Sequence, residues 1–135
     1  MPRAGQILYH KDFIFTDGDA GNKLVVVLNT CDNRETCLVL KTTSQSARYS
    51  YATPGCNSCK KVFCIYEKCE QDFPQDTYVQ MDNMYPINVE QLLNTKKVSF
   101  VNYLSEICFA NLKRCLRNFR DDIPQQYWAT IYSPK

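Results

Sequence analysis

Histidine is nearly missing from this sequence: His10 is the only one among 135 residues. A nucleophile–His–Asp triad or an HExxH zinc site requires histidine in a fixed partnership, so neither chemistry is expected. No window holds the roughly 18 uninterrupted apolar residues that a membrane-crossing helix requires, which predicts a protein with no membrane span. Glycine is scarce, four in all. The two in Asp17-Gly18-Asp19-Ala20-Gly21-Asn22 have the wrong spacing for a phosphate-cradling or dinucleotide-binding loop and read as a flexible hairpin loop. Asp17 and Asp19 without a third partner are a weak metal signal. Neither sign of charge dominates: 16 basic and 14 acidic residues give a net charge of +2, which permits nucleic-acid binding without announcing it. The N-terminal Met-Pro-Arg-Ala-Gly-Gln has no long apolar stretch behind it, so no secretory leader is expected and the expected location is cytoplasmic. Hydrophobic residues at 44% and charged residues at 22% are ordinary for one folded domain of this length.

Cysteine is the residue in excess, eight in all. With no export signal they read as thiols or metal ligands, because a cytosol keeps most disulfides reduced. Cys56, Cys59, Cys64 and Cys69 form a C-x2-C-x4-C-x4-C cluster behind a Pro54-Gly55 turn. A CxxC sets two thiolates on one tight turn, and a chain folding back would complete four ligands for a structural zinc. Free thiols, or one disulfide formed after purification, are the competing readings. No helix follows to lower a thiol pKa, which argues against redox catalysis. Cys31 and Cys37 flank a polar loop of hairpin length, which would let them face each other across it. Cys108 and Cys115 fall on an apolar helix face and read as small core residues.

Strands are expected over Gln6–Tyr9, Lys23–Thr30, Cys37–Thr43, Lys61–Tyr66, Thr77–Met81 and Lys97–Tyr103. Short strands separated by turn signals suggest a small, strongly bent barrel. His10 then falls in the loop after the first strand, where a surface residue is the plain reading and a general base the sharper one. Ser105 is an N-cap with Glu106 just inside, and Ile107, Cys108, Leu112, Cys115, Leu116 and Phe119 recur at helical spacing. Lys113, Arg114, Arg117 and Arg120 read as a solvated face, with a binding patch as the alternative. A short helix is expected near Val89–Leu93. The chain divides into one domain over 1–120, with a Cys-rich insertion at 54–70, and an extension over 121–135 whose Tyr127, Trp128 and Ile131 suggest docking. Lys41-Thr42-Thr43-Ser44-Gln45 ends a strand with groups suited to a phosphate or base edge, or to turn chemistry.

The order of four stretches resembles the MazF/PemK (Kid) family of toxin-type endoribonucleases. Gly5-Gln6-Ile7-Leu8, Asp12-Phe13, the 17–21 loop and Asn22-Lys23-Leu24-Val25-Val26-Val27-Leu28 resemble the family's opening hairpin, which ends in an Arg-Pro-Val-Val-type strand. Leu38-Val39-Leu40-Lys41-Thr42-Thr43-Ser44 resembles the next strand with its Thr-Ser end. Thr77-Tyr78-Val79-Gln80-Met81-Asp82-Asn83-Met84-Tyr85-Pro86-Ile87 resembles the strand that usually reads Val-Arg-Cys-Asp-Gln followed by an Ile-Asp turn, and Leu104-Ser105-Glu106-Ile107 opens a helix in the place of the family's last one. The resemblance implies a mainly β, SH3-like small barrel with a C-terminal helix packed on it, a homodimer, an antitoxin peptide as partner, and cleavage of single-stranded RNA with no cofactor required for chemistry. Carried over by position, Thr43 matches the catalytic threonine and Asp82 an acidic residue of proton transfer. Lys23 stands for the arginine before proline, Leu24 for that proline, and Gln80 for a catalytic arginine. Lys23, Lys41, Ser44, Arg48 and Gln80 would line the RNA groove. Lys23 supplies charge without arginine's bidentate fork, and Gln80 supplies neither charge nor a proton. His10, Lys41 and Arg48 are the candidates to replace what Gln80 lacks. Asp82 before Asn83 also reads as a plain turn residue. The other classes in contention are a non-catalytic nucleic-acid- or peptide-binding barrel and a zinc-stabilised structural or adaptor domain.

Overall fold

The computed structural model describes residues 3–14, 20–30, 36–43, 53–57, 61–65, 77–88 and 94–132, with the side chains of 12–14, 20, 82 and 83 excepted. The helix expected near Val89–Leu93, the 17–19 carboxylates, Ser44, Arg48, Cys31, Cys59 and Cys69 lie outside the described residues. The fold is mainly β with α. Seven described strands, β1 (Gln6–Ile14), β2 (Ala20–Val27), β3 (Cys37–Thr43), β4 (Gly55–Asn57), β5 (Val62–Ile65), β6 (Thr77–Ile87) and β7 (Val98–Tyr103), form one sheet in the order β4-β5-β6-β3-β2-β1-β7. Every paired neighbour is antiparallel. Helix α1 (Glu106–Leu116), a 3-10 turn over Arg117–Asp122 and helix α2 (Gln125–Tyr132) follow the sheet.

Alternation along the central strands loads both faces of the sheet with apolar side chains. Ile7, Val26, Leu28, Leu38, Leu40, Val79 and Met81 cluster with Leu112, Leu116, Phe119, Ile123 and Ile131 of the C-terminal segment. The opposite face carries Leu8, Val25, Val27, Cys37, Val39 and Val98, with Tyr85 and Ile87 packed against them. Burying both faces explains why β2 and β3 read as continuous apolar runs instead of alternating with polar residues. β6 runs on to Ile87, well past the expected Met81. Its first half pairs with β5 and the end of β3, and a register break between Leu40 and Thr42 lets its second half follow the start of β3. β7 is the opposite edge to β4, and it leaves Phe100, Val101 and Tyr103 exposed. Gly5 adopts φ +86°, and a Cβ there would meet the Phe109 ring at 3.4 Å, so this position admits little else.

The helix signals hold locally. The Ser105 side chain accepts a hydrogen bond from the Cys108 N–H at 3.1 Å, capping α1 as expected. The helical spacing does not carry through to Phe119, whose φ of −114° and ψ of 24° break the helix. Ile107, expected on the apolar face, is 77% exposed.

The extension docks on its own chain. Ile131 is buried in the core, and Tyr127 and Trp128 pack against it. Of the helix cations read as a solvated face, Arg117 lies 4.7 Å from the Tyr132 ring and Arg120 lies 4.9 Å from that of Trp128. Lys113 sits 5.2 Å from the Tyr132 ring and donates to the Ile131 carbonyl at 3.3 Å. Arg117 and Arg120 stay exposed to water, but each gains about 0.5–1 kcal/mol by covering a ring. Tyr132 Oη donates to the Lys113 carbonyl at 2.6 Å. Burial raises the pKa of the Tyr132 phenol, with the Arg117 charge opposing. A raised folded-state value means that Tyr132 contributes stability below the ordinary tyrosine pKa and loses it as pH rises through the folded value. Tyr132→Phe is therefore expected to cost about 1 kcal/mol at neutral pH and to flatten the fall in stability above about pH 10. Denaturant melts of both proteins across that range check it. Parallel alkaline losses in both would refute the assignment.

Candidate functional site

Cross-strand register brings the sequence-derived residues together. His10 of β1 is paired with Lys23 of β2. Val25 of β2 is paired with Lys41 of β3, and one further two-residue step in this register sets Lys23 level with Thr43. The Thr42 hydroxyl donating to the Leu24 carbonyl at 2.7 Å ties the strands together at this level. Thr43 in turn is paired with Tyr78 of β6, and Tyr78 with Cys64 of β5. Directly paired residues project from the same face with Cβ atoms about 4.5–5.5 Å apart. His10, Lys23, Thr43 and Tyr78 thus form a row across four adjacent strands, with Lys41 one step along β3 and Gln80 one step along β6. Leu8, Val25 and Val39 share this face, so the row is where the second apolar cluster gives way to polar chemistry.

Burial divides the row. His10 is 7% exposed, Thr43 4%, Tyr78 5% and Gln80 2%, whereas Lys23 and Lys41 are partly exposed. His10, expected in a loop, lies inside β1, because that strand continues five residues past Tyr9. Its Nδ1 stands 2.8 Å from the Lys11 carbonyl. A carbonyl only accepts, so Nδ1 is the protonated nitrogen, and in the neutral ring Nε2 carries the lone pair. That is the tautomer a general base requires. No local signal in Gln6-Ile7-Leu8-Tyr9-His10, where two apolar residues stand side by side, marks the strand as running on through His10. Asp82 belongs to β6 by its backbone, and its side chain lies outside the described residues, as do Ser44 and Arg48.

The cysteine cluster needs correction. Cys56 of β4 is disulfide-bonded to Cys115 of α1, with Cα atoms 5.5 Å apart and a sequence separation of 59. A bonded sulfur has no thiolate to give a metal, so the set Cys56, Cys59, Cys64 and Cys69 does not stand as four zinc ligands in this state. Cys64 is a buried thiol on β5, paired across the ladder with Gly55 of β4, and Cys59 and Cys69 lie outside the described residues. Among the described residues no group of three or more His, Cys, Asp or Glu is placed to hold a metal. Cys115, read as a small core residue, is buried and bonded at once, and Cys37 is a half-cystine as well. The expectation that all eight cysteines are thiols or ligands fails for these three.

Beside the disulfide lies a cleft of about 420 Å³ bordered by Phe63, Asn111, Arg114 and Asn118. Asn118 Nδ2 approaches Cys56 Sγ at 3.5 Å, and Arg114 donates to Asn111 Oδ1 at 3.3 Å. The ion pair between Lys61 and Asp122, at 3.4 Å, joins two half-exposed side chains and contributes little. Among the described residues no helix is long and apolar enough to cross a membrane. No protein-family model matches this chain, and no curated protein sequence matches it.

Proposed function

We propose that this chain is a PemK/MazF-like, SH3-like barrel that acts on RNA as a metal-independent endoribonuclease of the toxin type. The observation that carries the reading is the row of His10, Lys23 and Thr43 on three neighbouring strands. Cleavage through the 2′-hydroxyl needs a base for that hydroxyl, an acid for the leaving oxygen and positive charge against the phosphorane. His10 Nε2 is the base, Asp82 the group that gives the leaving oxygen its proton, Lys23 with Lys41 the charge, and the Thr43 hydroxyl a hydrogen-bond donor to a phosphate oxygen. His10 thereby takes over the proton transfer that Gln80 is unable to perform. Asp82, Ser44 and Arg48 keep the roles that the resemblance implies. A homodimer and an antitoxin peptide belong to the same proposal, which the apolar side chains exposed on edge strand β7 support.

The test is incubation of the purified chain with a long single-stranded RNA in chelator, beside Thr43→Ala and Lys23→Ala. The expected result is cutting by the parent, with 2′,3′-cyclic phosphate ends, and loss of most activity in both variants. Equal cutting by all three sinks the site. A second reading, a binding barrel without chemistry, is favoured by the enclosed, uncharged Gln80. Retention of RNA without any cutting, weakened by Lys23→Ala, is its signature. The zinc-stabilised adaptor reading has lost Cys56 to a disulfide. A cytoplasmic location remains part of the proposal and sets the disulfides against a reducing thiol pool.

A further inference from the structure

We propose that the Cys56–Cys115 disulfide is a thiol-exchange site for a low-molecular-weight thiol that carries a carboxylate. Three observations converge on it. The two sulfurs are unequal, since Cys56 is exposed on an edge strand while Cys115 is 3% exposed inside the helix face. Access decides which sulfur of a disulfide is attacked, so attack falls on Cys56. The cleft of about 420 Å³ opens beside this bond, within the range of about 300–1,000 Å³ typical of small-molecule sites. Arg114 is the charged residue on its border, flanked by the amides of Asn111 and Asn118. This lining selects a small anion with hydrogen-bonding groups, and the reactive bond beside it selects a thiol.

The exchange balances without another reagent. The incoming thiolate gives its electron pair to Cys56 Sγ and forms a mixed disulfide there. The Cys56–Cys115 bond breaks with its electron pair on Cys115 Sγ, which takes a proton from water. A second thiolate attacks the small-molecule sulfur of the mixed disulfide, releasing the oxidised small disulfide and leaving Cys56 as a thiol. Two small thiols are oxidised for one protein disulfide reduced. The covalent link between β4 and α1 is lost at the first step, so Cys56 becomes a modification site and the link a redox-sensitive latch. This inference stands apart from the RNA reading, because neither cysteine belongs to the row of His10, Lys23 and Thr43.

The test treats the oxidised full-length chain with glutathione, neutral 2-mercaptoethanol or cationic cysteamine at matched thiolate concentration, and follows adducts by intact mass and peptide mapping. The expected adduct is on Cys56. Its rate with glutathione exceeds that with 2-mercaptoethanol by about 1.5- to 5-fold, the factor an exposed Arg–carboxylate contact supplies, and cysteamine is slowest. Arg114→Gln, at an exposed helix position, closes the gap while leaving slow exchange in place, and high salt does the same to the parent. An adduct on Cys115, reduction elsewhere with this bond untouched, or an undiminished glutathione preference in Arg114→Gln would each overturn the proposal.

Discussion

On the proposed ribonuclease reading, His10→Gln is expected to lower the rate of RNA cleavage by about 10²- to 10⁴-fold, the range a general base contributes. Glutamine is the informative replacement because its amide can still donate to the Lys11 carbonyl that the ring now faces at 2.8 Å. The strand and the site stay filled, and what disappears is a lone pair able to accept a proton. RNA retention should stay within a few-fold of the parent while the rate falls. Lys23→Ala should differ in kind. It removes charge next to His10, so it weakens binding and reduces its salt dependence by about one counterion's worth, in addition to slowing the chemistry. Lys23→Arg should retain or raise activity, since the guanidinium restores the bidentate fork. If His10→Gln cuts as fast as the parent while Thr43→Ala does not, the base lies elsewhere and Asp82 becomes its holder.

Local signals were legible in the sequence, and pairings across long stretches were not. Cys37–Thr43 was readable end to end because its apolar run and its Thr-Thr end are both local. The Ser105 cap was readable for the same reason, since the hydroxyl and the Cys108 amide it meets are three residues apart. His10 was misplaced because β1 continues past its most β-prone residues, held by pairing with β2 and β7 on its two sides. No propensity within residues 6–14 encodes those neighbours. Cys115 sits at helical spacing with Leu112 and Leu116, which is the pattern of a core residue, and it is buried as that pattern demands. Its bond to Cys56 depends on how β4 packs on α1, and β4 is three residues long. The helix cations were likewise readable as solvated, whereas the rings that Lys113, Arg117 and Arg120 approach arrive about two to five helical turns of chain later, on α2. For the candidate site, the sequence named Lys23, Lys41, Thr43 and Gln80 by resemblance, and only the register put them on one face with His10.

Removing the long-range link should be the largest single change in stability. The paired change Cys56→Ser with Cys115→Ala is expected to cost about 4 kcal/mol, the chain-entropy value for opening a loop of this length, which corresponds to a Tm lower by roughly 10–15 °C for a chain of this size. The two cysteines are separated by 59 positions in sequence, so reopening the link returns far more freedom to the unfolded chain than losing any local contact would. The folded chain should also respond unevenly. Among the described strands β4 is an edge strand paired with β5 alone, and without its covalent tie to α1 its amides should exchange much faster. Those of β3 and β2, buried on both faces, should follow only the global loss. Adding reductant to the parent should reproduce most of the fall in Tm, and adding it to the paired variant should produce only a smaller remainder, to which the bond at Cys37 contributes. A paired variant that melts with the parent would mean that β4 and α1 hold together through packing alone. Exchange confined to β4 with an unchanged Tm would make the link a local clamp, with the core of β2, β3 and α1 setting the stability of the fold.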